Sequence, residues 1–170
     1  MIHDLDLCEP FAWRRGLDSE LTQELQPIGV CGTGASAGGL DPLAAFLESI
    51  PVGTGVAYVV VQHLSPNHES MMAELLGRRT SMPVRQADDG DILKANHVYV
   101  LGPGDVVTVE ESHLAIEARA TAEDGNRSPH PIDAFFFSLR GWSDRSAAIV
   151  LSGTGDDGTR GSKPYEMPAD

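Results

Sequence analysis

The chain is poor in positive charge, in cysteine and in long apolar runs, and each shortage removes a class of function. Twelve lysines and arginines stand against 25 aspartates and glutamates, a formal net charge of −13. A nucleic-acid partner calls for a basic face, as does an anionic membrane surface, so neither is expected. No apolar run approaches the roughly 20 residues that span a bilayer, so membrane insertion is not expected either. The start, Met1-Ile2-His3-Asp4-Leu5-Asp6-Leu7, has acids where a secretory signal carries positive charge and then a long apolar stretch. The two cysteines, Cys8 and Cys31, fall in the leading segment and in an apolar strand. A structural disulfide is therefore not expected, and a cytoplasmic chain with free thiols is the simpler reading. No Cys/His cluster has zinc spacing, so the expectation is no metal and no cofactor.

What remains is enough for one folded domain. The 170 residues are 41% hydrophobic and 22% charged, ordinary values for a globular chain. Residues 1–26 show no sustained periodicity and read as a flexible leader. From Pro27 the pattern alternates: strand 28–32, helix 39–49, strand 56–61, helix 68–77 with Asn67 as N-cap, and a short strand at 83–86. Segments 97–101, 105–109 and 113–117 then alternate apolar and polar residues between turns, which predicts a small antiparallel patch. A hydrophilic loop, 119–130, leads to a helix from Pro131 to about Trp142 and a strand at 147–151. The fold class is α/β: a doubly wound, mostly parallel sheet with right-handed crossovers and that antiparallel patch. Residues 162–170, with Pro164 and Pro168, read as an irregular tail after a domain spanning 27–161.

Chemistry concentrates where predicted strands end. Gly34-Ala35-Ser36-Ala37-Gly38 is a G-x-S-x-G pattern at a strand-to-helix turn, which lifts a serine hydroxyl clear of the sheet between small neighbours. The strand ending at Val61 runs into Gln62-His63, and the strand ending at Leu151 runs into Ser152-Gly153-Thr154-Gly155-Asp156-Asp157-Gly158. In open α/β sheets the carboxyl ends of strands form the ligand crevice, so Ser36, His63 and an aspartate can converge. A serine needs a base to take its proton, a histidine serves near neutrality, and a carboxylate orients the imidazole. Each has a plainer role open to it: such serines cap helices, strand-end histidines pack, and Asp156 and Asp157 both suit turns. His3, His68, His97, His113 and His130 have no comparable context and default to surface or capping roles. Trp142 and Phe135-Phe136-Phe137 are assigned to packing.

These motifs together resemble the CheB-type protein-glutamate methylesterases of bacterial chemotaxis. The resemblance rests on Gly32-Thr33-Gly34-Ala35-Ser36-Ala37-Gly38-Gly39, on Val61-Gln62-His63-Leu64 and on Leu151 through Gly158. Asn96 through Gly104 and Pro131-Ile132-Asp133-Ala134-Phe135-Phe136 match in order and spacing between them. The form here looks most like the esterase domain fused to methyltransferase and sensor modules. The resemblance implies a serine hydrolase that demethylates γ-glutamyl methyl esters, and deamidates glutamines, in chemoreceptor-like proteins. It implies Ser36 as nucleophile, His63 as base and Asp157 rather than Asp156 as the acid, with Gly153, Gly155 and Gly158 around it. The Thr154 amide becomes the oxyanion donor, with Gly155 and Gly38 giving room for positioning. Family members often carry threonine after the nucleophile, where this chain has Ala37. The implied partners are a methylated chemoreceptor or receptor-like signalling protein as substrate and a methyltransferase or sensor module.

Two departures temper this. In the family a helix and at least one more strand follow the aspartate loop, and after Gly161 this chain carries only 162–170, which implies C-terminal truncation and an Asp157 short of support. Twenty-six leading residues are too few for a receiver domain, so control through partner proteins is expected. Two other readings stay open: a nucleotide-binding module cradling phosphate with Gly32, Gly34, Gly38 and Gly39, and an inactive domain that retains only partner binding. The spacing G-x-G-x-x-x-G, and Gln62-His63 where a ribose-binding acid belongs, count against the nucleotide.

Overall fold

The structure, a computed structural model, describes residues 26–35, 39–62, 71–103, 105–117, 130–152 and 157–162. Its centre is a five-stranded sheet in the order β3-β4-β2-β1-β7, every pair parallel. The strands are β1 (Gly29–Ala35), β2 (Val56–Gln62), β3 (Val84–Gln86), β4 (Val98–Val100) and β7 (Ser146–Ser152). Strands β5 (Val106–Glu110) and β6 (His113–Glu117) form a separate antiparallel hairpin. Three α-helices are described: α1 (Leu40–Ser49), α2 (Met72–Gly77) and α3 (Pro131–Ser138), the last running into a 3₁₀ segment, Leu139–Arg145.

The sheet is the middle of three layers, and its alternation sorts the residues. Tyr58 and Val60 of β2 point with Cys31 and Ala35 of β1 into a core closed by Leu43, Leu47, Met72 and Leu76 from α1 and α2. Val59 and Val61 face the other way, onto Phe135, Phe136 and Leu139 of the α3 region and onto Val107 and Leu114 of the hairpin. A period of two in the strands thus feeds both cores, as a doubly wound sheet requires. Gly32 and Gly34 lie on the α3 side of β1. A Cβ at Gly32 would come within 2.6 Å of Phe135 Cε1, and one at Gly34 within 2.5 Å of Ile132 Cγ2. These glycines let α3 settle directly onto the backbone of β1.

Several element boundaries move relative to the sequence reading. Residues 97–101 belong not to the antiparallel patch but, as β4, to the main sheet between β3 and β2. Val98, Tyr99 and Val100 are all buried, because helices and hairpin cover both faces of the sheet there. Strand β1 continues to Ala35 instead of stopping at 32, since its glycines meet a helix rather than a turn. The α-helix from Pro131 ends at Ser138, and Trp142 falls in the 3₁₀ segment. The second helix is described from Met72, and Asn67 lies outside the described residues. At the other end of the sheet β7 is only half covered, with Val150 45% exposed.

Candidate functional site

The parallel register places three strand ends side by side. Ala35, the last residue of β1, is paired with Gln62, the last of β2, and with Ser152, the last of β7. Neighbouring strands lie roughly 4.8 Å apart, so these termini form one short line with β1 in the middle. Ser36 follows Ala35 in the chain, His63 follows Gln62, and the Gly153–Asp156 loop follows Ser152. Ser36, Gly38, His63, Thr154 and Gly155 lie outside the described residues. Between Gly34 and Ala35 the pairing with β7 slips by one residue, Val150 facing Gly34 and Ser152 facing Ala35. An extra residue, Leu151, therefore bulges in β7 immediately before the aspartate loop, and such bulges re-aim a strand end.

Asp157, the described member of the expected triad, is held by the start of α3. Its Oδ1 accepts the Asp133 N–H at 2.9 Å and its Oδ2 accepts the Ile132 N–H at 3.2 Å. Every orphan donor in that first turn is thereby settled. Pro131 at the first position has no N–H, Ile132 and Asp133 donate to Asp157, and Ala134 donates to the His130 carbonyl at 3.1 Å. His130, the residue preceding the helix, makes no side-chain cap. The cap comes instead from a carboxylate 24 residues further along the chain. Support for Asp157 thus comes from α3, ahead of it in sequence.

The arrangement is reciprocal. Asp133 is buried, 4% exposed, and its Oδ1 accepts the N–H groups of Gly161 at 2.7 Å and Arg160 at 3.0 Å. Gly158 adopts φ +88°, and a Cβ there would sit 2.9 Å from both Ile132 Cγ2 and Val150 Cγ2. A Cβ on Gly161 would meet Phe136 Cβ at 2.5 Å. The turn after Asp157 therefore needs glycine for its backbone at 158 and for close approach to α3 at 161. His130 Nδ1 stands 3.9 Å from Asp157 Oδ1, so His130, Asp133 and Asp157 form a cluster with metal-ligand groups within 4.8 Å of one another. Backbone N–H groups donate to both carboxylates. In the sequence Asp133 stood within a matched motif but was given no role at the site. Its one local signal was an acid at the third position of a helix opened by proline.

Other sequence assignments take their places. Phe135, Phe136 and Trp142 are core, whereas Phe137 is partly exposed under Arg140, whose guanidinium carbon lies 4.4 Å from the ring centroid. Gly32 and Gly34 meet α3 side chains, so two of the four glycines of the nucleotide reading have no free space for a phosphate. An apolar cavity of about 550 Å³, lined by Cys31, Phe46, Ile50, Tyr58 and Ala147, lies at the opposite, amino-terminal end of these strands. Burial there pushes the Cys31 thiol up to about 11, so it is a neutral core side chain. Among the described residues no helix is long and apolar enough to cross a membrane.

Comparison with known proteins bears on all of this. A family model described as CheB methylesterase matches residues 31–165. The chain is 37% identical over 134 residues to a protein-glutamate methylesterase/protein-glutamine glutaminase of Bordetella avium, covering 76% of this chain and 38% of that protein. It is 34% identical over 132 residues to one from Saccharophagus degradans, with 76% and 36% covered. An uncharacterised 104.1 kDa protein of Rhodobacter capsulatus is 45% identical over 91 residues, 53% of this chain and 9% of that one. The chain thus spans little more than a third of the methylesterases it matches and a small part of the longer protein. The crystal structure of the Thermotoga maritima CheB methylesterase catalytic domain superposes with a TM-score of 0.64 at 25% identity, covering 78% of this chain and 71% of that one. Five ordered motifs, a parallel sheet with these three strand ends in register and the match over 31–165 agree: the chain belongs to the CheB methylesterase family.

Proposed function

We propose that this chain is the catalytic unit, residues 27–161, of a protein-glutamate methylesterase, with 1–26 as leader and 162–170 as tail. The observation that supports the reading is the register that pairs Ala35, which precedes Ser36 in the chain, with Gln62, which precedes His63, and with Ser152, five residues before Asp157. In this mechanism Ser36 Oγ attacks the γ-carbonyl carbon of a glutamyl methyl ester while His63 takes the hydroxyl proton. The negative oxygen of the tetrahedral intermediate accepts the Thr154 N–H, with Gly155 and Gly38 leaving room around it. The intermediate collapses with cleavage of the C–OCH₃ bond, His63 protonates the departing oxygen, and methanol leaves. Water, deprotonated by His63, then attacks the acyl-serine, and glutamate and free Ser36 are released. The same steps on a glutamine side chain expel ammonia. Asp157 holds the imidazole in the tautomer that accepts from Ser36.

The substrate is a methylated chemoreceptor or receptor-like signalling protein of the cytoplasm, and a methyltransferase or sensor module is the partner that delivers it. The names of the Bordetella avium and Saccharophagus degradans relatives support the ester and amide chemistry. The 9% share of the Rhodobacter capsulatus protein supports a domain that works inside longer assemblies. Methanol release from a methylated receptor fragment tests the reading, with Ser36→Ala alongside. Release that depends on Ser36 is expected. Equal turnover by the Ser36→Ala protein would remove the nucleophile assignment.

A further inference from the structure

We propose that Asp133 is a positioning residue for the reaction, holding the Asp157 carboxylate at its working angle through a reciprocal backbone latch. The proposal rests on the reading of Asp157 as the triad acid. Four hydrogen bonds build the latch. Two run from the first turn of α3 to the Asp157 oxygens, and two run from Arg160 and Gly161 back to Asp133 Oδ1. Asp133 takes part on both sides, donating its N–H to Asp157 and accepting with its side chain. Because one residue does both, any shift of the 157–162 turn along α3 strains both halves at once.

A buried carboxylate is an expensive way to fill space, since desolvating it is costly unless donors replace water. Here the donors are main-chain N–H groups on the segment that carries Asp157, so the cost is met by fixing that segment. The remaining contacts point the same way. Gly158 closes under Ile132 and Val150, and Gly161 closes on Phe136, so the turn is clamped by packing as well as by hydrogen bonds. The two bonds from α3, one to each oxygen, fix the plane of the Asp157 carboxylate.

Oδ1 of Asp133 receives both N–H groups, which gives the idea a sharp test. Asparagine keeps that oxygen and alanine removes it. Kinetics of the full chain on a peptide bearing a γ-glutamyl methyl ester would be measured for Asp133→Asn, Asp133→Ala and Asp157→Ala, and for the Asp133→Ala/Asp157→Ala double variant. We expect Asp133→Ala to lower kcat by on the order of 10²-fold, the cost of displacing a catalytic group by about an ångström, with KM nearly unchanged. Asp133→Asn should stay within a few-fold of the parent, and Asp133→Ala should cost almost nothing once Asp157 is already gone. If Asp133→Ala does not fold, Asp133→Glu, which moves the carboxylate by one methylene, carries the same expectation. A folded Asp133→Ala or Asp133→Glu protein with the parent kcat, beside an inactive Asp157→Ala, overturns the positioning role and leaves the triad standing. An equal loss from Asp133→Ala in both backgrounds also overturns it. Parent-like turnover by Asp157→Ala overturns the triad reading, and the latch's role in the reaction falls with it.

Discussion

Gly34 lies so close beneath Ile132 that a single methyl group on it would stand 2.5 Å from the isoleucine Cγ2. Ile132 also donates its N–H to Asp157, so strand β1, helix α3 and the aspartate loop meet at one point. The residue that makes the strand slim enough for the helix thereby also sets the height at which Asp157 is held.

Gly34→Ala is therefore expected to destabilise the fold by about 1–3 kcal/mol, the usual cost of overpacking a close-packed interior. Thermal unfolding of the variant measures it. Trimming the opposing residue, in Gly34→Ala/Ile132→Ala, should cost less than the sum of the two single changes. Strict additivity would show that the contact is not the source of the loss.

Asp157→Ala is expected to have two separate effects. Removing the cap leaves the Ile132 and Asp133 N–H groups without acceptors, worth about 0.5–2 kcal/mol of stability. Loss of imidazole orientation should lower kcat on the order of 10³-fold or more. Asp157→Asn keeps one of the two acceptor oxygens and should recover part of the stability but little of the activity. Denaturant titration beside ester turnover separates the two effects, and recovery of both together would argue that Asp157 is structural only.

Ester hydrolysis should rise with pH through an apparent pKa of about 6–7, because His63 serves as base only when neutral. The pH profile of kcat/KM checks this, provided folding is monitored over the same range. A flat profile would remove His63 from the role.

Cys31 offers a pH test of the fold itself. In the unfolded chain the thiol ionises near 9.0, whereas burial holds Cys31 at about 11. Between those values the unfolded state has lost the proton and the folded state has kept it, so rising pH favours unfolding. The thiol's contribution is intact below the lower value and is lost across that window, on the order of 2–3 kcal/mol. Subtracting the pH–stability curve of Cys31→Ala from that of the parent should show this drop. In native protein Cys31, read by peptide mass separately from Cys8, should also resist alkylation by iodoacetamide at pH 8 until the protein is unfolded, and rapid native alkylation of Cys31 would contradict the burial.

The sequence carried the order of the elements, because the signals for it are local. The apolar run before Gln62 and the glycine-serine turn after Ala35 can be recognised without any contact being known. Strand β4 was misassigned because Val98-Tyr99-Val100 is short and lies between turns, with Asn96 at φ 59° before it. Its burial on both sides comes from layers assembled elsewhere in the chain. The glycines of β1 look like punctuation in sequence and prove to be clearance for a helix about 100 residues later. Asp133 was legible only as a matched motif position. Its partners, Arg160 and Gly161, are nearly 30 residues away, and no spacing rule links them.

The one-residue slip in the pairing of β7 with β1 sets how the chain tolerates insertion and deletion. With Leu151 looped out, Ser152 reaches the level of Ala35 one residue later than a regular ladder would bring it there. Losing one residue from that stretch would restore the regular ladder and shorten by one residue the path from Val150 to Asp157. A change of length at this strand end thus acts on the hold of α3 on Asp157, whereas single substitutions there leave that spacing as it is.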